Sequence, residues 1–428
     1  MRTGGYRVTR VAVAAAGGPS SRRALEVRIA LEGPEAGSTV TGSAAVPLGA
    51  QADGDAVMTQ AVMTQRVATL LAGRRWRSFD ELDRALGTLA ATAARESRDA
   101  RVTLGASVAA ARAFAAADGV ALHRWLPHPA PACLPMPHLD LVHGGRHAPG
   151  RVDFARFGIV PVAAPSVREA LRAGAAVHGR FRVALERLGL RTAPGDDGIF
   201  LPALQAPGDV LDLLCDAIAD AGYERGRRGV AITLDVAAGR LREPDGAYRV
   251  NGAYLDSVDM VEYLAHLVDR YRVVSIQDAM APDDAKGWRL LAERVADAAQ
   301  LVTSLGLAAS TSVGAATVAR HGGAVALELG AARTVTEILA AVRHWYGRGA
   351  KVVVSQRTGW ADDPFGADLA VAVGCGQIDA GPVLVVERSP AYDRLAALEA
   401  AADPTTGSAA RDVAGTGRES LPYARGGQ

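Results

Sequence analysis

The sequence predicts an α/β protein in which a small α+β unit precedes a barrel of βα units. From about residue 167 onwards, short apolar runs alternate with segments of ten or more residues that have helical periodicity. Before about residue 120, strand-like patterns come first and helix-like patterns follow them. A proline cluster at residues 127–137 separates these two regions and indicates a domain boundary.

The first unit begins with strand-like segments and continues with alanine- and leucine-rich helical patterns. The predicted strands are residues 6–16, 25–31 and 39–46. The predicted helices are residues 60–71, 80–94 and 106–117. Turn signals rich in glycine and proline follow the first two strands. We therefore expect a small antiparallel sheet with helices packed on it.

The second unit alternates helices and buried strands. Its expected helices are residues 167–188, 210–221, 258–269, 287–298, 311–320 and 334–346. Its expected strands are residues 230–236, 273–277, 301–304, 325–329 and 351–355. From about residue 401 the composition shifts to Gly, Thr, Ser and Arg, which predicts a flexible tail. The expected domains are residues 1–126, residues 127–400 and the tail 401–428.

Composition and charge exclude several classes of protein. The chain has 428 residues, a formal net charge of +1 and 49% hydrophobic residues, so we expect neither nucleic acid as its partner nor a disordered chain. No apolar run approaches the length of a membrane span, and residues 11–16 are too short for a signal peptide. Three scattered cysteines, at positions 133, 215 and 375, indicate a reduced cytoplasmic compartment.

An acidic residue closes one of the predicted barrel strands. The apolar run at residues 324–330 contains Glu328 and ends at Gly330. An unpaired carboxylate in a strand buried on both faces is costly unless it reaches a cavity, a partner or a proton. Near the C-terminal end of a barrel strand, that cavity would be the active site.

Further polar residues stand where the other predicted strands end. They are Asp235, Gln277, Asp278, Ser304 and the segment 356–359. Because the C-terminal ends of barrel strands meet at one face, we expect these side chains to converge there. Arg357 and Thr358 could hold a phosphate group with a guanidinium, a hydroxyl and backbone N–H groups.

Two loops allow more than one interpretation. Five histidines between residues 123 and 147 could belong to a metal site, or they could be scattered loop residues. Two glycines between His143 and His147 argue against a helix that would align these two side chains. The loop at residues 195–198, which contains two aspartates, could be a turn with solvated acids or part of the site.

A set of motifs runs in order from residue 134 to about residue 400. They include Leu134-Pro135-Met136-Pro137, Gly144-Gly145-x-His147-Ala148, Gly195-Asp196-Asp197-Gly198, Asp235-x-Ala237-Ala238, Ser275-Ile276-Gln277-Asp278, Ser355-Gln356-Arg357-Thr358-Gly359 and Gly376-Gln377-Ile378. Taken together, these segments resemble the enolase family of phosphopyruvate hydratases. The first 125 residues match the family pattern more loosely.

The resemblance implies an N-terminal α+β capping domain, a C-terminal modified (βα)8 barrel and commonly a homodimer. Enolases remove the proton α to the carboxylate of 2-phosphoglycerate with a lysine base. A glutamic acid helps hydroxide leave, and two Mg²⁺ ions stabilise the doubly charged ene-diolate.

The resemblance also assigns roles to positions of this chain. The base position falls on Glu328, and a second lysine position, which meets the substrate carboxylate, falls on Asp379. The general-acid position is Asp197, and its supporting glutamate is replaced by Arg156. The remaining substrate-binding positions are His147, Arg357 and Thr358.

The Mg²⁺ site that the resemblance implies also has substituted residues. Of the three carboxylates that hold the first ion in enolases, Asp235 remains, whereas the others are replaced by Gln277 and Ser304. These changes reduce the ligand charge from three to one, and Mg²⁺ favours charged oxygen ligands. We expect an Arg–carboxylate network in its place, with Arg156 and Arg357 facing Asp235, Glu328 and Asp379.

The chain has two lysines, and neither is placed to act as the base. Lys351 begins its predicted strand, at the end of the barrel opposite the site, and Lys286 lies at the start of a helix.

The first functional hypothesis is therefore a degenerate enolase that serves a binding, regulatory or pathway-specific role, with a small anionic metabolite as its partner. The second is an enzyme whose reshaped site acts on another small hydroxy acid or phosphorylated acid. The third is a weak but genuine phosphopyruvate hydratase.

Overall fold

The computed structural model describes twelve segments of the chain. They are residues 5–16, 24–33, 38–47, 54–93, 97–145, 152–193, 195, 198–295, 297–305, 313–356, 363–382 and 390–401. Within these residues, no helix has both the length and the hydropathy needed to cross a bilayer. The predicted tail lies outside the described residues except for Ala401.

The first elements form an antiparallel sheet covered by helices. They are β1 (Tyr6–Ala16), β2 (Ala24–Glu32), β3 (Thr39–Pro47), α1 (Gly54–Leu71), β4 (Arg75–Trp76), α2 (Phe79–Ala93), α3 (Ser97–Ala117) and α4 (Leu122–Trp125). The strand order is β3-β2-β1-β4. Helix α3 lies very close to the sheet, because a Cβ atom on Gly42 of β3 would stand 2.0 Å from the carbonyl oxygen of Ala109.

The second group of elements builds the barrel and its surrounding helices. It begins with β5 (Met136–His143), β6 (Arg156–Val160), α5 (Val167–Arg187), α6 (Pro207–Asp220), β7 (Ala231–Asp235), β8 (Tyr248–Val250), β9 (Ala253–Leu255), α7 (Ser257–Tyr271) and β10 (Val273–Gln277). It continues with α8 (Ala285–Val295), β11 (Gln300–Leu305), α9 (Val313–Arg320), β12 (Ala324–Glu328), α10 (Val335–Tyr346), β13 (Lys351–Ser355), α11 (Phe365–Val373), β14 (Gln377–Pro382) and α12 (Pro390–Ala401).

The barrel strands close in the order β10-β11-β12-β13-β14-β5-β6-β7. Strand β6 is antiparallel to both of its neighbours, β5 and β7, whereas the other adjacent pairs are parallel. The predicted α/β fold class, with an α+β unit followed by a barrel, is thus confirmed. The predicted domain boundary at residue 126 stays a prediction.

Apolar residues fill part of the barrel interior below the C-terminal ends of the strands. Val302, Ala324, Ala326 and Val353 form a separate buried cluster contributed by three adjacent strands. Side chains two residues apart on a strand share a face. The interior face at the ends of these strands therefore carries Ser304, Glu328 and Ser355, each two residues beyond a member of this cluster.

Two buried contacts join the antiparallel unit to the barrel. Asp83 of α2 accepts hydrogen bonds from the Ser107 hydroxyl and from the N–H of Thr336, at 2.8 Å for the latter. Ser107 in turn accepts the N–H of Val335 at 2.8 Å, so that α2 and α3 together cap the start of α10. Burial raises the pKa of Asp83.

The second contact is an ion pair between Arg112 of α3 and Asp363, which precedes α11. Their two nitrogen–oxygen distances are 2.9 and 2.7 Å, and Asp363 is almost fully buried. Asp363 also accepts the N–H groups of Ala45 on β3 and Phe365 on α11. One carboxylate therefore links the sheet, α3 and the barrel.

Candidate functional site

Four of the predicted strand-end residues, Asp235, Gln277, Ser304 and Glu328, lie on one face at the mouth of the barrel. Asp235 is paired in register with Gln277, and Glu328 is paired with Ser355. Ser355 is paired in turn with Asp379 on the next strand. Residues paired across adjacent strands point to the same face of a sheet, so these five side chains share the interior face.

Gln277 and Ser304 form a direct hydrogen bond at this mouth. The Nε2 atom of Gln277 donates to the Oγ atom of Ser304 at 2.6 Å. The backbone N–H of Ser304 donates to Asp278 at 2.7 Å, and Asp278 has a left-handed backbone with φ of 46°. The structure thus brings together two predicted metal positions, and the amide of one already donates to the hydroxyl of the other.

Glu328 is the last residue of β12, and it is exposed, whereas Ala324 and the three residues that follow it are buried. The desolvation cost expected for an acid in a buried strand therefore does not arise at this position. Within the described residues, no arginine, lysine or histidine forms an ion pair with Glu328. Glu328 is therefore accessible to solvent at the C-terminal end of its strand.

The two lysines lie away from Glu328, as the sequence predicts. Lys351 is the first residue of β13, whereas Ser355, the partner of Glu328, is the last residue of that strand. Lys286 lies in the first turn of α8 and is exposed. Neither side chain is positioned to abstract a proton at the mouth of the barrel.

Arg156 forms an ion pair with a carboxylate that the predicted network did not include. Its Nη1 atom lies 3.4 Å from Oδ2 of Asp140 on the neighbouring strand β5. Gly158 packs closely between the two neighbouring strands, because a Cβ atom there would stand 2.8 Å from the carbonyl oxygen of Leu139 and 2.9 Å from Oγ1 of Thr233. The alternation of His138 and Asp140 with leucines in β5 is the sequence signal that could have revealed the partner of Arg156.

The end of β13 holds two polar side chains in different environments. Gln356 donates from Nε2 to the carbonyl oxygen of Asp363, and Gly366 packs against the same amide group. Ser355 is 2% exposed, and within the described part of the chain its Oγ atom has no hydrogen-bond partner. A buried hydroxyl without a partner is rare in folded proteins, and this one lies on the interior face beside Glu328 and Asp379.

Four of the predicted site residues lie outside the described residues. They are His147, Asp197, Arg357 and Thr358. Across the described residues, no cluster of three histidine, cysteine, aspartate or glutamate side chains is arranged to hold a metal ion.

The family model described as "Enolase, C-terminal TIM barrel domain" matches residues 131–413, which is more than half of the chain. The chain belongs to the enolase family. This match covers the whole described barrel, from β5 to α12, and therefore includes every strand end that contributes to the mouth.

The mouth of this enolase-family barrel has an unusual balance of charge. Its described interior face carries the carboxylates of Asp140, Asp235, Glu328 and Asp379, and one guanidinium, that of Arg156. These four carboxylates outnumber the one described cation, which pairs with Asp140, so we expect further compensating groups. Arginine and histidine side chains at positions outside the described residues are candidates by sequence.

A cleft of about 980 Å³ lies beside the mouth of the enolase-family barrel. Its lining includes Ala155, which precedes Arg156, and Ala237, which follows Asp235 by two residues. Arg240, Arg249 and Asn251 form part of its outer wall. The sequence alone did not indicate this cleft.

Proposed function

We propose that this enolase-family protein does not dehydrate 2-phosphoglycerate efficiently and instead binds a small anionic metabolite in a binding, regulatory or pathway-specific role. The position of Glu328 carries this proposal. At the residue where enolases place a lysine base, the chain presents an exposed carboxylate, and both of its lysines lie elsewhere. A negatively charged base would also repel the carboxylate of the substrate.

The residues at the first metal position support the same proposal. Asp235 supplies one carboxylate, while the amide nitrogen of Gln277 is committed to the hydroxyl of Ser304. Mg²⁺ prefers several charged oxygen ligands in octahedral geometry, and this donor set does not provide them. We therefore infer no step that depends on a metal ion at this position.

A second candidate function is catalysis on a different small hydroxy acid or phosphorylated acid. The observation that favours it is the buried hydroxyl of Ser355, which has no hydrogen-bond partner among the described residues and lies between the strands that carry Glu328 and Asp379. A hydroxyl flanked by two carboxylates could orient a substrate hydroxyl for proton transfer. A homodimer and a cytoplasmic location stay predictions from the sequence.

A coupled assay for phosphoenolpyruvate formation, with excess Mg²⁺ and an ordinary enolase as positive control, tests the first proposal. We expect turnover at least about a thousandfold below the control, because both the base and the metal ligands are replaced. Turnover within tenfold of the control would refute the proposal and favour a genuine hydratase. Thermal-shift screening of hydroxy acids, with and without phosphate groups, then separates the binding role from the second candidate function.

A further inference from the structure

The cleft beside the barrel mouth has a wall that carries positive charge. This wall is built from two segments that follow β7: the 3-10 turn Ala238–Arg240 and the hairpin formed by β8 and β9. The opposite side includes Gly145 and Ala155, which flank the connection between β5 and β6. The volume of about 980 Å³ is at the upper end of the range for small-molecule pockets, which is about 300–1,000 Å³.

Arg240 presents a guanidinium that has no ion-pair partner among the described residues, on a backbone that is held in place. The turn that carries it is held by the hydrogen bond from Ala238 N–H to the carbonyl of Asp278, at 2.9 Å, and Ala238 is fully buried. The Arg240 side chain itself is exposed and forms no ion pair within the described residues. A guanidinium carried by an anchored backbone is suited to binding an oxyanion.

Arg249 provides a second guanidinium on the same wall. Its backbone N–H donates to the carbonyl of Leu241 at 2.9 Å, which ties β8 to the turn that follows Arg240. Its Nε atom lies 3.3 Å from Glu243, and its side chain is 59% exposed. A guanidinium carries five N–H donors, so Arg249 can bind an oxyanion in addition to Glu243.

Asp153, the acidic residue among the described residues that line the cleft, already accepts a hydrogen bond. The Oδ2 atom of Asp153 accepts the backbone N–H of Asn251 at 2.6 Å, and this bond holds the β8–β9 turn in place. The carboxylate of Asp153 is therefore hydrogen-bonded to the backbone, while Arg240 and Arg249 line the cleft. This arrangement favours an anion over a cation.

We propose that the cleft binds a phosphate or carboxylate group of a small-molecule ligand whose other end reaches the barrel mouth. This proposal rests on the proposed function, because it specifies the chemical class of the metabolite. The metabolite carries an oxyanion group that binds in the cleft, outside the barrel mouth. Ala155 and Ala237 line the cleft and lie next to the barrel mouth. Ala155 precedes Arg156, and Ala237 follows Asp235 by two residues. The ligand is then larger than a three-carbon acid.

Site-resolved labelling with phenylglyoxal tests this proposal on the unmodified full-length protein. Phenylglyoxal modifies exposed arginines, and peptide mass spectrometry gives the rate at each position with and without inorganic pyrophosphate. We expect pyrophosphate to slow the labelling of Arg240 about fivefold or more, since a bound oxyanion occupies the guanidinium. Arg289 is the matched control, because it is 58% exposed and pairs with Glu293 at 3.4 Å on α8.

Unchanged labelling of Arg240, or equal protection of Arg289, would overturn the proposal. As a second measurement, calorimetry should show that Arg240→Gln and Arg249→Gln each weaken pyrophosphate binding about tenfold, while Arg289→Gln has no effect. Affinity that is unchanged in both cleft variants would also overturn it. Phosphoenolpyruvate formation by the wild type would refute the proposed function without affecting either measurement, so the two failures are distinguishable.

Discussion

The guanidinium of Arg156 and the carboxylate of Asp140 lie 3.4 Å apart on adjacent antiparallel strands of the barrel. Arg156 occupies the position at which the resemblance to enolases implies a glutamate that supports the general acid. The presence of arginine instead of glutamate therefore replaces an acidic side chain by a cationic one. The neighbouring strand supplies the carboxylate that pairs with this cation.

We predict that Arg156→Met destabilises the protein by about 2–4 kcal/mol, because it leaves the mostly buried Asp140 without its cation. Asp140→Asn should cost less, about 1 kcal/mol, and the double variant should cost less than the sum of the two. Urea unfolding of the four proteins measures this coupling. Strict additivity would contradict a direct interaction.

Restoring the metal ligands provides a second prediction. In a Gln277→Glu, Ser304→Asp variant, three carboxylates would converge at the mouth, because Gln277 is paired in register with Asp235 and its side chain contacts Ser304. Their mutual repulsion should lower the melting temperature without metal, and Mg²⁺ should raise it again.

At a free Mg²⁺ concentration of a hundred times Kd, the stabilisation of this variant should approach about 2.7 kcal/mol. Thermal denaturation with a Mg²⁺ titration measures it, with the wild type and the triple variant that adds Asp235→Asn as controls. A Mg²⁺ response of the same size in the wild type would contradict our account of Gln277 and Ser304. Glu328→Lys alone should not restore phosphoenolpyruvate formation.

The third prediction concerns the contact between the antiparallel unit and the barrel. Arg112→Met should cost about 3–5 kcal/mol, since Asp363 is almost fully buried and would lose its bidentate partner. Arg182→Met removes an exposed pair with Glu186 and should cost less than about 1 kcal/mol. Equal melting temperatures for the two variants would show that the buried pair adds no stability.

The fourth prediction is a pH dependence that arises from His178. Its ring is 2% exposed and stacks on Phe200, with 4.3 Å between the ring centroids. Burial, with a smaller contribution from Arg182, lowers the pKa of His178 from its usual 6.5 to about 4. Between these two pH values the unfolded chain takes up a proton that the folded chain does not, so stability falls as the pH falls.

The loss should reach roughly 3 kcal/mol when the pH has dropped from 7 to 4. Urea unfolding at several pH values should show a steeper decline for the wild type than for His178→Phe, in which the ring no longer titrates. The difference in slope should approach one proton. Parallel slopes for the two proteins would exclude His178 as the source.

Much of the fold could be predicted from local patterns. The strands at residues 273–277 and 351–355 were predicted with the bounds that the structure gives, because each is a short apolar run followed by polar residues. Strands β5 and β6 were not predicted as strands. Strand β5 contains a proline, two histidines and an aspartate, and its polar side chains are buried only because the barrel closes around them.

The candidate site, like the fold, could be predicted only in part from the sequence. The positions of Asp235, Gln277, Ser304 and Glu328 near strand ends followed from the sequence, whereas Asp379 followed only from the resemblance and lies within β14. The alignment of these side chains on one face followed from the barrel. The partner of Arg156 was not predicted, because the alternation of His138 and Asp140 with leucines was not interpreted as a strand. Residues that approach each other through strand pairing leave no mark in local periodicity.

By itself, the sequence determined the alternation of strands and helices, the family to which the barrel belongs, and the identity of the residues at each strand end. These properties depend on side-chain type and on spacing along the chain. Only the tertiary structure decided that β6 runs antiparallel, that Glu328 is exposed, and that two arginines line a cleft beside the mouth. Those properties depend on closure of the barrel, which places residues far apart in the chain within hydrogen-bonding distance.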